Sequence, residues 1–471
     1  MQSSLARRSF NFLFPFHKCA TFQLSLLPTR QQAQTLPLLP DEIWLEIFEF
    51  ATYLHHSKTI APLPAFTPAR ISTNAMAANT PYLTMRTKNA LVLVCKSWRR
   101  IALRLLFEHI SIPSLRRAKL VFHVLRNSCE TGFAHLGYRY GQWTRHLEIF
   151  SHGRGTFDYL RVIFEIMKLC PNLNHLTGHW DVPLPNEFLD AIIKLYGPSL
   201  KGLRWSDDKV PQAASTPTFL CSFSSLRILD LRNFYGNDES VFKPRSDLPS
   251  LPRMKTLIIS SRERSVTVAS VLVLPTVENL VIEVLSSRGN GLVGFSQGLT
   301  KMLTNLGKTL TSVDILPPVN PSEQSDEGQA QLDPSLFLQP GVCPNLHSLT
   351  FPQSSPQCAQ HVHPNLRRIG IRGIKGDYMY PNKASSTKTH LMSISRELYP
   401  KLEIVRTIGF LVDSCGDSLM KDIFIWWAER FEDQGIDLQD GEGVVYLYTE
   451  PEPEESPGIQ MEVALAGTNL H

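Results

Sequence analysis

Residues 343–351 read CPNLHSLTF and residues 363–371 read HPNLRRIGI. Each joins a proline-led lead-in to large apolar residues in an L-x-x-L-x-L pattern: Leu346, Leu349 and Phe351, then Leu366, Ile369 and Ile371. The alternation at the end of each stretch marks a short strand with one face buried. The same lead-in recurs as CPNL at 170 and YPKL at 399. Working outward, the pattern starts at Leu173, Leu200, Leu226, Met254, Val277, Leu310, Leu346, Leu366 and, more weakly, Leu402. An earlier candidate is WTRHLEI, ending at Ile149. Intervals run from 20 to 36 residues with a mean near 29. Helical periodicity precedes several copies, at 157–170, 186–196 and 297–306. No such unit can bury its apolar face alone, so the copies must stack. Because lead-in, strand and preceding helix recur together, chance recurrence of leucine in an ordinary α/β domain explains them poorly.

The rest of the composition sets limits. The chain has 471 residues, 43% of them hydrophobic, which is enough for a sizeable core. A net charge of +4 excludes a generally polycationic nucleic-acid binder and a supercharged acidic protein. Charge is nevertheless uneven. Between Glu429 and Glu455 there are ten acids and one base, a net of −9, which leaves +13 for the remainder. The eight cysteines are scattered without a CxxC pair, as expected of reduced thiols in an intracellular protein. No apolar run is long enough for a transmembrane helix. The chain divides into a basic, acid-free tail (1–35), a helical segment (36–112), the repeating region (113–448) and an acidic tail (449–471). Both tails read as disordered. The first also has the composition of a mitochondrial presequence, although a cytoplasmic or nuclear location is the preferred reading. The polar stretch 317–334 reads as a surface loop.

The helical segment carries the most specific signal. Residues 39–51 read LPDEIWLEIFEFA, with Pro40 suited to a first helical turn and Asp41 and Glu42 complementing the helix dipole. Ile43, Ile47, Phe50 and Leu54 form one stripe, and Trp44 and Phe48 a second beside it. Residues 89–110, NALVLVCKSWRRIALRLLFEHI, repeat the helical spacing with Lys96, Arg99, Arg100 and Arg104 largely opposite. Residues 55–88 lie between them, contain four prolines at 62, 64, 68 and 81 and no acid, and read as a flexible insertion. So small a unit with leftover apolar surface suggests a partner.

Here the sequence resembles an F-box. Leu39, Pro40, Glu42, Ile43, Ile47, Phe48, Val94, Cys95, Trp98 and Ile101 match the family in kind and order, over about 75 residues. The repeats resemble leucine-rich repeats, without the usual Asn or Cys after the strand. The implied fold is α/β (α+β overall): a short all-helical F-box followed by an irregular, horseshoe-like solenoid capped by the helix at 417–431 and a strand at 444–448. The resemblance implies a non-catalytic, substrate-recruiting subunit of a cullin–RING (SCF-type) ubiquitin ligase. It implies binding to the Skp adaptor, and through it cullin, by Leu39, Pro40, Ile43, Ile47, Phe48, Val94 and Trp98. An unknown protein substrate would bind the repeats. No nucleic acid, membrane, cofactor or metal is expected.

Strand alternation points to the recognition face. It places Asp230 and Arg232, Thr256 and Ser260, Ser348 and Thr350, and Arg368 and Arg372 opposite the core, exposed to a substrate. Arg367, Arg368 and Arg372 would favour an acidic or phosphorylated ligand. Two further patterns suggest enzymatic or metal chemistry. Residues 294–298 (GFSQG) match the G-x-S-x-G nucleophile elbow around Ser296, with Asp314, Asp333 and His347 downstream, but no oxyanion segment precedes them. Cys358, His361 and His363 have zinc-like spacing without an evident fourth ligand. A ligase-independent repeat scaffold and a Ser296 hydrolase stand as alternative readings.

Overall fold

The structure is a computed structural model, described for residues 39–67, 80–130, 139–151, 156–182, 184–207, 217–234, 250–285, 291–317, 331–358, 361–412 and 418–447. Four helices come first: α1 (Asp41–Ala51), the single turn α2 (His55–Lys58), α3 (Pro81–Val94) and α4 (Lys96–Glu108). The chain then alternates between strands and helices. In order these are β1 (His109–Ile112), α5 (Leu115–Glu130), β2 (His146–Ser151), α6 (Thr156–Leu169), β3 (His175–Trp180), α7 (Asn186–Tyr196) and β4 (Gly202–Ser206). Next come α8 (Pro217–Cys221), β5 (Ile228–Asp230), β6 (Thr256–Ser260), α9 (Glu263–Val271), β7 (Asn279–Glu283), α10 (Gly291–Leu306) and β8 (Ser312–Leu316). The last are β9 (Ser348–Pro352), β10 (Arg368–Arg372), α11 (Ser386–Ser393), β11 (Ile404–Ile408), α12 (Ser418–Glu432) and β12 (Asp437–Gln439).

All twelve strands form one open parallel sheet in strict sequence order. Parallel strands need a return path for the chain, and at most crossings a helix supplies it. One repeated hydrogen bond fixes the register: the residue before a strand gives its carbonyl to the first N–H of the next strand. Examples are His175 to Arg145 (2.9 Å), Gly202 to Asn174 (3.0 Å), Ser348 to Thr311 (3.1 Å) and Ile404 to Arg367 (3.1 Å). With that register, Leu147, Leu176, Leu203, Leu229, Leu257, Leu280, Val313, Leu349, Ile369 and Val405 stand side by side. All are buried in one continuous core. Each of the nine pattern starts leads into one of the strands β3 to β11, and WTRHLEI contains the start of β2.

Four expectations need correction. The helix expected over 89–110 breaks at Cys95, which adopts an extended conformation (φ −157°) and caps the next helix, its Sγ accepting the Trp98 N–H. The sheet starts at His109, inside the segment assigned to the helices. The segment 55–88 is not one flexible loop. Thr80 Oγ1 caps α3 by accepting the Leu83 N–H, and residues 55–67 lie against the sheet. The closing strand is Asp437–Gln439, whereas Val445 makes only an isolated antiparallel bridge to Gln439. Both tails, most of the polar stretch 317–334 and residues 68–79 lie outside the described residues. Among the described residues no helix is long and apolar enough to cross a membrane.

Candidate functional site

The helical unit is built around aromatic rings. Phe48 of α1 is 1% exposed and packs with Ile101, Ala102 and Leu105 of α4. Half-buried Trp98 lies between Phe48 (4.8 Å between ring centroids) and Trp44 (4.9 Å). Asp41 and Arg100 form an ion pair between α1 and α4. Phe48 therefore cannot touch a partner. It is an internal prop, because the second stripe of α1 turns toward α4. The first stripe turns outward: Leu39, Ile43, Ile47 and Phe50 are all exposed, as is Pro40. At the end of α3, Leu93 is 82% exposed and Val94 59%. Exposed isoleucines and leucines in register on one helix are uncommon without a covering partner.

The sheet face opposite the core is less open than alternation alone suggests. Asp230 is 0% exposed. Its carboxylate takes Arg232 Nε and Nη2 (3.0 and 2.7 Å) and lies 3.4 Å from Arg204 Nε. Arg232 also reaches Glu283 at 2.9 Å, and Ser260 Oγ donates to the Arg232 carbonyl at 2.6 Å. Burial lowers the pKa of this guanidinium, but Asp230 and Glu283 together push it upward overall. Arg372 makes two bonds to Asp314 (3.0 and 2.8 Å). Burial pushes the Asp314 carboxyl up, with Arg372 opposing. Asp230, Ser260 and Thr350 are thus buried rather than exposed. Alternation decides which face a side chain takes, not what lies over that face. Arg368 alone of the eight expected recognition residues is exposed, and Arg367 pairs with Glu403 at 3.5 Å. The charges expected to attract an acidic ligand are largely matched internally. A different basic hollow, of about 370 Å³, lies beside the start of the strands and is lined by Arg145, Lys201, Arg227 and Arg253.

A histidine ladder occupies the first strands. His109 and His146 stack at 4.7 Å, and His146 meets His175 edge-on at 5.9 Å. His146 Nδ1 bonds the His56 carbonyl and Nε2 bonds Thr177 Oγ1, both at 3.0 Å. Burial and then the neighbouring histidines hold His146 down at about 3, and burial with Lys201 holds His175 at about 4. Burial pushes Glu148 up, but His109, 3.7 Å away, overcomes it and leaves the carboxyl at about 2. Sequence reading missed this column, whose signal is a histidine at the first position of three consecutive strands.

Neither alternative chemistry is assembled. Ser296 sits within α10, its carbonyl accepting Thr300 Oγ1, instead of at a strand-to-helix turn. Gly298 lets α10 approach α9, since a Cβ there would meet Val266 at 2.7 Å. Asp314 is bound by Arg372. His363 bonds the Cys343 carbonyl through Nε2 at 3.0 Å, and burial pushes the Cys358 thiol up to about 12. Among the described residues no group of three or more His, Cys, Asp or Glu side chains is placed to hold a metal ion. No protein-family model matches the chain, and no curated protein matches it either.

Proposed function

We propose that the chain is an F-box protein: a substrate-recruiting subunit of an SCF-type ubiquitin ligase with a leucine-rich-repeat-like solenoid. The observation that carries this reading is the outward apolar stripe Leu39, Ile43, Ile47 and Phe50, on a helix whose other side is fully used by Phe48 and Trp44. It coincides with residues that match the family in kind and order. The exposed Leu93 and Val94 extend the apolar surface of the same unit. Such a surface suits a Skp-type adaptor. The chain then acts by proximity, raising the local concentration of substrate beside the charged enzyme. The sequence-ordered sheet supports the second half of the reading, because stacked repeats present long faces to protein partners.

Co-purification with a Skp adaptor tests it. The full chain should co-elute at one to one, and Leu39→Ala with Pro40→Ala should abolish this while leaving the circular-dichroism spectrum unchanged. Stable, folded protein that never co-elutes would leave a ligase-independent repeat scaffold as the function.

A further inference from the structure

Residues 55–67 run across the sheet face opposite the core and touch both ends of it. At the near end the His56 carbonyl bonds His146 of β2, and buried Ile60 packs where a Cβ on Gly202 of β4 would lie 3.2 Å from its Cδ1. Lys58 ties the segment to Glu108 at 2.8 Å. At the far end Arg406 of β11 donates through Nη1 to the Ala65 and Thr67 carbonyls (3.4 and 3.2 Å). The five residue steps from Ile60 to Ala65 reach at most about 17 Å, whereas the sheet from β4 to β11 measures about 34 Å along its strand spacings. Side-chain reach makes up only part of the difference, so the segment crosses a curved face as a chord.

We propose that this face is a peptide-docking surface and that residues 55–67 occupy it as an internal mimic of the true partner. The partner fitted by the site is a protein segment forming a proline-led turn with an aromatic residue at its third position. This rests on the reading above, in which the repeats receive a protein substrate, and it specifies that substrate's class.

The far-end contacts carry the argument. Residues 64–67 form a turn closed by Thr67 N to the Pro64 carbonyl (3.1 Å) and by Thr67 Oγ1 to the same oxygen (2.8 Å). The turn presents Phe66 to two cations, Arg406 at 5.4 Å and Arg368 at 6.0 Å from the ring centroid. Arg406 is held from behind by Gln439 Oε1 through Nε and Nη2 (3.1 and 2.6 Å), which leaves Nη1 for the turn. Two main-chain carbonyls and one ring are features that any peptide of this shape can supply. Arg368, which pairs with no acid among the described residues, and Arg406 thus form a clamp for an aromatic turn. The contact is also releasable, because Phe66 is only half-buried and its turn belongs to no regular element. Pro62 and Pro64 restrict the free segment and make re-closure less unfavourable.

A fluorescent peptide with the sequence of residues 55–67 tests the proposal on the full chain. In the wild type the tethered segment competes at an effective concentration on the order of mM, so binding in trans should be weak. Phe66→Ala releases the site, and the peptide should bind at least about tenfold more tightly. Adding Arg406→Ala, or replacing phenylalanine in the peptide by alanine, should remove that gain. In the wild type a saturating dose of peptide should speed amide exchange in residues 57–61. Equal affinity for wild type and Phe66→Ala, or unchanged exchange under saturating peptide, overturns the proposal. So does loss of cooperative urea unfolding in Phe66→Ala, which would make the segment part of the core. The adaptor plays no part in this assay. Displacement without adaptor co-elution would sink the ligase reading alone, and co-elution without displacement would sink this one alone.

Discussion

Asp230 shows what a buried charge does in this sheet. It is fully enclosed, yet it receives Arg232 through two nitrogens and lies beside Arg204. Removing one member of such a group leaves its partners buried and uncompensated, at about 3–5 kcal/mol. Asp230→Ala should therefore lower the urea midpoint of the whole sheet by a corresponding amount. Arg368→Ala, at an exposed side chain with no acidic partner among the described residues, should change the unfolding free energy by less than about 0.5 kcal/mol. Comparable losses from both variants would show that the Asp230 group adds nothing beyond a surface contact. Sequence alternation assigns Asp230 and Arg232 to the face away from the core and predicts them exposed, whereas Asp230 is buried. It gave no account of the pairing of Arg232 with Asp230 and with Glu283, which lies two strands further along the sheet.

The ladder on β1, β2 and β3 makes these strands acid-sensitive. His146 and His175 are held near 3 and 4 in the folded chain, below the ordinary histidine value of 6.5. The unfolded chain therefore binds more protons as pH falls below about 6.5. Stability present at neutral pH is lost as the solution moves toward the folded values. Glu148, held at about 2 from an ordinary 4.5, adds a loss of the same sign at lower pH. Between pH 7 and 5 His146 should account for roughly 1–2 kcal/mol of lost stability. His146→Gln should flatten the dependence of the urea midpoint on pH over that window, and an unchanged slope would exclude the ladder as its source. The strands themselves were readable because a buried stripe forces period-two alternation. Their lead-ins were readable for a reason that emerges only in three dimensions. The asparagine of C-P-N-L and H-P-N-L donates to a carbonyl of the preceding unit: Asn172 to Gln142 (3.0 Å), Asn345 to Lys308 (2.7 Å) and Asn365 to Pro344 (2.9 Å). The capping amide sought after the strand stands before it. Residues 55–67 were misread because a proline-rich, acid-free stretch looks alike whether it is free or lodged against a distant strand.

Because every strand pairs only with its neighbours in sequence, damage should spread along the sheet rather than through it. Trp427 of α12 is fully buried and its Nε1 donates to the Met379 carbonyl at 2.8 Å. Trp427→Ala should cost about 3–5 kcal/mol and unfold the C-terminal units first. Amide exchange should then quicken in β10 to β12 while β2 to β4 keep their protection, and uniform loss would show that the array melts as a single body. The contacts of residues 55–67 escape this neighbour rule. Arg406 grips the Ala65 carbonyl across 341 positions of chain. During synthesis at about 5–20 residues per second, roughly 17–70 s separate the appearance of these two residues. For that interval residues 64–67 have no clamp to enter, while the contacts of His56 and Ile60 with β2 and β4 can already form. The tethered turn is therefore already waiting when its clamp emerges, and a partner arriving in trans meets a site that has had an internal occupant from the start.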